Sequence, residues 1–214
     1  MAEEERVPPV LFEEQGYLAD FLSQSAGEDR TIEDLLFRHL TFDGILISKL
    51  EFSHCRFEGC RFIGCRLPQL YLRSCTLDGC DLSGCQLNDA TFRNVLWKGC
   101  KLSGTQFFGS FFQQCRFLDC AAEYANFSGG ILKQLTFSDC RLPEASFSDC
   151  KPTRLSFSGC GLQRSDFTGT PLKGLDLTED AIEGILLAGP ELKGAIVTPF
   201  QACDLARLLG LIIR

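Results

Sequence analysis

The sequence predicts an all-β solenoid, a right-handed quadrilateral β-helix, and three observations predict it. Every fifth residue from Phe37 to Val197 is apolar, and of these 33 positions only Ala122 and Pro152 are not large. Fourteen of the 19 Phe fall on this column of centres. Two residues before each centre runs a column of small or aliphatic side chains that holds 12 of the 13 Cys. Two residues after each centre, 15 of the 20 Gly recur, among them Gly59, Gly79 and Gly99. A period of five fits neither a helix at 3.6 nor a flat strand at 2. It fits a chain that makes one short edge and one corner per unit, with the centre and the small residue turned inward. Four edges close a coil of about 20 residues, so the repeat gives about eight coils and a rod on the order of 40 Å long.

Residues 1–31 break the frame. Val10, Leu11, Phe12, Tyr17, Leu18, Phe21 and Leu22 recur at helical spacing between Pro9 and Gly27, which predicts an amphipathic helix. A first coil exposes its core, so this segment is expected to be a helical cap. Residues 32–197 form the β-helix. Residues 198–214 make a third unit: Thr198-Pro199 reads as N-cap and first helical residue, and Gly210 as the stop. That unit carries Phe200, Leu205, Leu208, Leu209, Leu211, Ile212 and Ile213 with few charges, more apolar surface than capping needs. It is expected to join two copies of the chain.

Composition narrows the function. With 28 acids against 21 bases the net charge is −7, which disfavours direct nucleic-acid binding and suits a basic partner. The acidic N-terminus lacks a signal peptide, and no stretch approaches the ~18 apolar residues of a membrane span. A cytoplasmic setting with reduced thiols is expected, and an odd Cys count forbids complete pairing within one chain. Parallel thiols set five residues apart between Phe layers do not converge tetrahedrally, so neither a metal nor another cofactor is expected. His39 and His54 occupy outward positions with no Ser, Cys or Asp regularly beside them, and a phosphate-binding loop is absent. The chain is expected not to be an enzyme.

The units CRFEG, CRFIG, CDLSG, CKLSG and CGLQR resemble those of the pentapeptide-repeat family. Gln201-Ala202, Leu205 and Leu209-Gly210-Leu211 are similar to the C-terminal module of its Qnr, MfpA and McbG group. That resemblance implies a dimer joined at the C-terminus, which binds DNA gyrase or topoisomerase IV by imitating DNA and protects or inhibits the enzyme. It also implies resistance or self-immunity to antibiotics that target these topoisomerases. The frame runs unbroken, as in loop-free MfpA-like members, whereas many Qnr proteins interrupt it with loops. The rod is not uniformly acidic: 37–117 has six acids and ten bases, and 118–197 has 11 acids and seven bases. In the acidic half, 20 residues per coil stacks Asp119, Asp139 and Glu179 in one column, with Glu123, Glu144 and Glu183 beside it. This stripe is the expected contact for a basic saddle. The alternative is a repeat scaffold whose partner is unrelated to topoisomerases.

Overall fold

In the computed structural model, which describes residues 9–208 and 210–212, the five-residue unit sets the geometry directly. Ladder partners through the repeat lie 20 residues apart, from Ile32↔Phe52 to Phe137↔Phe157, and all run parallel. One column of bridges runs Leu46, Arg66, Gln86, Gln106, Asn126, Ser146, Asp166 and Leu186, a four-sided coil repeated over eight rungs.

The four faces are not alike. Two carry strands, and there Phe111–Leu118, Ile131–Ser138 and Lys151–Ser158 run eight residues through a corner. The other two carry mostly single bridges between tight turns. Those turns are closed by bonds such as Cys85 N to Leu82 O (3.0 Å) and Ser110 N to Phe107 O (3.1 Å). The second residue past a centre takes a left-handed φ at most corners. Glycine supplies it at Gly109 (φ 68°), where a Cβ would also stand 2.6 Å from the Asp89 carboxylate. Asp, Asn and His, which tolerate that region best among the other residues, occupy it at Asp119 (φ 51°), Asn94 (φ 53°) and His54 (φ 57°).

Centres of successive coils stack. The rings of Phe107, Phe127, Phe147 and Phe167 follow one another at 5.0, 4.9 and 5.0 Å, close to the inter-strand spacing. Neighbouring faces meet edge to face, as Phe137 does with Phe147 at 84°. The cysteines between them do more than fill space. Each of the 12 thiols in the column donates to the carbonyl of the centre 23 residues earlier: Cys60 to Phe37 (3.2 Å), Cys100 to Leu77 (3.4 Å), Cys150 to Phe127 (3.1 Å). Thr105, Ser110 and Ser165 use hydroxyls for the same bond.

The N-terminal cap differs from the expected single helix. Val10–Phe12 is a strand (β1) paired Val10↔Leu35 and Phe12↔Phe37, followed by a 3₁₀ turn at Gln15–Tyr17 and a helix (α1) over Leu18–Gly27. The first coil offers unpaired backbone groups that helix alone cannot satisfy, and Val10 N reaches Asp34 O at 2.8 Å. Leu18 and Leu22 then seal the apolar end. At the other end α2 spans Pro199–Leu208. Its start is a reciprocal box, Gln201 N to Thr198 Oγ1 (3.2 Å) and Thr198 N to Gln201 Oε1 (2.8 Å). Gly210 (φ 81°) ends it as expected, with Leu211 N reaching back to Ala206 O at 3.2 Å.

The ladder has one opening. On the two strand faces no backbone bond joins 151–159 to 171–179 among the described residues, although the other two faces of the same coil stay bridged, as at Gly161↔Ala181.

Candidate functional site

Asp119 and Asp139 occupy the same outward corner one rung apart, each N–H anchored to the next coil, on Ser138 O (3.0 Å) and Ser158 O (2.9 Å). Both carboxylates are exposed and neither forms an ion pair among the described residues. Gly159 takes the next place in the column. Glu179 follows, accepting from the Ser158 hydroxyl at 3.0 Å. Glu183 is exposed and unpaired as well. The remaining two differ. Glu123 is half-buried, paired with Arg141 and bonded to Ser103 Oγ at 2.7 Å. Burial alone would raise its carboxyl, but the Ser103 hydroxyl and Arg141 hold it below the usual range. Glu144 lies 3.6 Å from Arg164. The column thus holds three carboxylates without an ion pair; beside it Glu183 is unpaired, while Glu123 and Glu144 face cations.

At the tail, Phe200 and Ile212 are each 88% exposed, and Leu208 and Leu211 also stand out from the surface. Leu205 does not belong with them. It turns inward onto the last coil and is 6% exposed, because its place on α2 faces Leu192 and Val197. It is a capping residue, not an interface one. Leu209 and Ile213 lie outside the described residues. Gln201 ties α2 to the rod through bonds to Leu177 O (2.7 Å) and Asp180 O (2.9 Å).

One pairing was missed in the sequence. Ser53 Oγ and His54 Nδ1 are 2.8 Å apart, and the Arg73 guanidinium donates to the same Oγ at 3.1 and 3.2 Å. Sequence neighbours on a strand point apart; here the left-handed corner at His54 folds the ring back. Ser53 has no exposed surface, so no substrate reaches Oγ, and the arrangement serves to hold Arg73.

The 12 cysteines of the column are buried free thiols and Cys203 is exposed. Burial pushes the Cys115 thiol up to about 11, and the Cys150 thiol likewise to about 11. Among the described residues, no cluster of three or more His, Cys, Asp or Glu is placed to hold a metal, and no helix is long and apolar enough to cross a membrane.

No curated protein matches the sequence. Among solved structures the chain is similar to QnrB1, described as a plasmid-mediated fluoroquinolone resistance protein. The two are 23% identical over 85% of this chain and 91% of that one, with a TM-score of 0.46. It is also similar to HetL of Nostoc sp. strain PCC 7120, a pentapeptide repeat protein involved in heterocyst differentiation regulation. There the identity is 15% over 78% of each chain, with a TM-score of 0.39. Residues 50–127 match the family model described as a pentapeptide repeat region. Residues 50–127 are thus a pentapeptide repeat region, and the same five-residue frame continues on both sides of it, from Phe37 to Val197.

Proposed function

We propose that this chain is a non-catalytic, cytoplasmic rod that binds DNA gyrase or topoisomerase IV in place of DNA, acting as a homodimer joined at its C-terminal end. Resistance or self-immunity to drugs acting on those enzymes is the expected consequence. The observation that carries the reading is the stack of unpaired carboxylates at one corner, Asp119 and Asp139 on adjoining ladder rungs and Glu179 two rungs on, past the ladder's opening. Anions held in a line are what a surface built for phosphates recognises. The bare apolar tail at Phe200, Leu208, Leu211 and Ile212 supports pairing at that end, which would bring the two acidic halves together. It would also double the reach of a rod that alone spans about a dozen base pairs.

A specific observation favours the alternative of a scaffold with an unrelated partner. Arg141 and Arg164 neutralise Glu123 and Glu144, so the acidic stripe is interrupted.

The test is a supercoiling and relaxation assay with gyrase and topoisomerase IV, with and without a quinolone. It uses the wild-type chain and the triple variant Asp119→Lys, Asp139→Lys, Glu179→Lys. Binding at low salt by the wild type and its loss in a folded triple variant are expected. A wild-type chain that neither binds nor alters either enzyme would leave the scaffold reading standing.

A further inference from the structure

The opening between 151–159 and 171–179 is written into the sequence by two prolines. In an intact rung the residue before each centre donates its N–H to the previous coil, as Asp81 N does to Cys60 O (2.9 Å). The centre donates to the next coil, as Phe62 N does to Asp81 O (2.7 Å). Pro171 stands at the first of these positions and Pro152 at the second, so the donors from both sides of the same rung gap are missing. Arg154, Phe157 and Gly159 keep their N–H groups but find no carbonyl on the next coil among the described residues. The ends of the gap are pinned, because Thr170 Oγ1 accepts Cys150 N (2.8 Å) and Asp180 Oδ1 accepts Cys160 N (2.7 Å). On the first of its two faces, between 152–155 and 171–175, lies a cleft of about 190 Å³.

Its chemistry is specific. Leu155 and Leu175 form an apolar floor with the two prolines, and Arg154 and Lys173 line the same cleft. Neither cation has an ion-pair partner among the described residues. The carboxylate of the facing rung, Asp176, is turned onto Thr178 N (3.0 Å) and Oγ1 (2.7 Å). Unpaired backbone donors, two uncompensated cations and an apolar floor complement one occupant, an extended peptide that alternates carboxylate and apolar side chains.

We propose that this cleft is a docking site for an acidic, extended peptide segment of a partner protein. Its carboxylates would meet Arg154 and Lys173, and a carbonyl the free N–H of Arg154.

The test uses the full chain, ¹⁵N-labelled, titrated with the blocked peptide acetyl-Glu-Leu-Glu-Leu-Glu-amide and with its Lys-for-Glu counterpart. The acidic peptide is expected to shift the Arg154, Leu155 and Lys173 amides and slow hydrogen exchange of the Arg154 N–H; the basic one should not. Arg154→Gln with Lys173→Gln should weaken binding by about tenfold, the scale of two partly exposed ion pairs. Pro152→Val with Pro171→Thr restores the donors, closes the gap and should abolish binding with both cations in place. No localised shift at millimolar peptide, equal shifts from the basic peptide, or unchanged affinity in either double variant would overturn the proposal.

Discussion

The carboxylate of Asp180 accepts the backbone amide of Cys160 at 2.7 Å from a position that, in other coils, holds an inward Cys, Leu or Ala. Its second oxygen, Oδ2, is buried without a hydrogen-bond partner, and the residue is 6% exposed. An ionisable group thus does at this corner what the Ser110 and Thr170 hydroxyls do for the Ala90 and Cys150 N–H groups.

The pH dependence follows from that position. Burial pushes the Asp180 carboxyl above its ordinary range, and the nearby charges of Glu179 and Asp176 act the same way, against the Cys160 N–H. Between the ordinary carboxylate value and the raised one, the folded chain holds a proton that the unfolded chain has released. That contribution to stability is full below the ordinary carboxylate value and is lost as pH rises through the raised one. Asp180→Asn keeps the acceptor and removes the charge, so its melting temperature should exceed wild type at neutral pH and converge with it in acid. Asp180→Leu leaves the Cys160 N–H unpaired and should cost about 1–3 kcal/mol in urea melts.

The thiol-to-carbonyl bonds make the cysteines more than small hydrophobes. Cys100→Ala removes both a sulfur and a donor to Leu77 O and should cost about 1–2 kcal/mol. Cys100→Ser keeps a donor in a column where Thr105 and Ser110 already use one, and should lose less. Urea midpoints of the two variants give the comparison directly.

Thiol reactivity should divide sharply. With one exposed cysteine, Cys203, and 12 buried ones, a thiol reagent should consume one equivalent promptly from the native chain and the rest only on unfolding. Several equivalents reacting at once would mean that the coils open far more readily than their packing implies.

The tail can be tested apart from the rod. Phe200→Asp with Ile212→Asp places charges on two side chains that are each 88% exposed, so the single chain should stay folded by circular dichroism. In a dimer the same charges would be buried unpaired, at a cost of several kcal/mol, and light scattering should report monomers. Monomeric wild type at micromolar concentration would remove the dimer.

The coil was legible in the sequence because a five-residue period places each side chain in the same environment every time, and the 20-residue register follows by counting. Features that depend on what the coil leaves unsatisfied were not legible. Val10-Leu11-Phe12 fits a helical spacing as well as a strand until the free edge at Leu35–Phe37 is there to pair with it. Leu205 looks like its apolar neighbours until the last coil decides which side of α2 is covered. Pro152 and Pro171, 19 residues apart in the sequence, become opposed only once the ladder sets them on facing rungs. The acidic column was located by the same counting; the Arg141 and Arg164 pairings beside it were not, since they depend on how long side chains reach between rungs.

The constant register of 20 built from units of five makes surface orientation a stepwise quantity. Removing one unit keeps an apolar centre and a small residue inward downstream, yet turns everything after it by a quarter revolution and sets strand faces over turn faces. Removing four shortens the rod and preserves its heading. A lineage of such chains can therefore re-aim a charged column or a docking cleft against the tail in right-angle steps by small in-frame deletions.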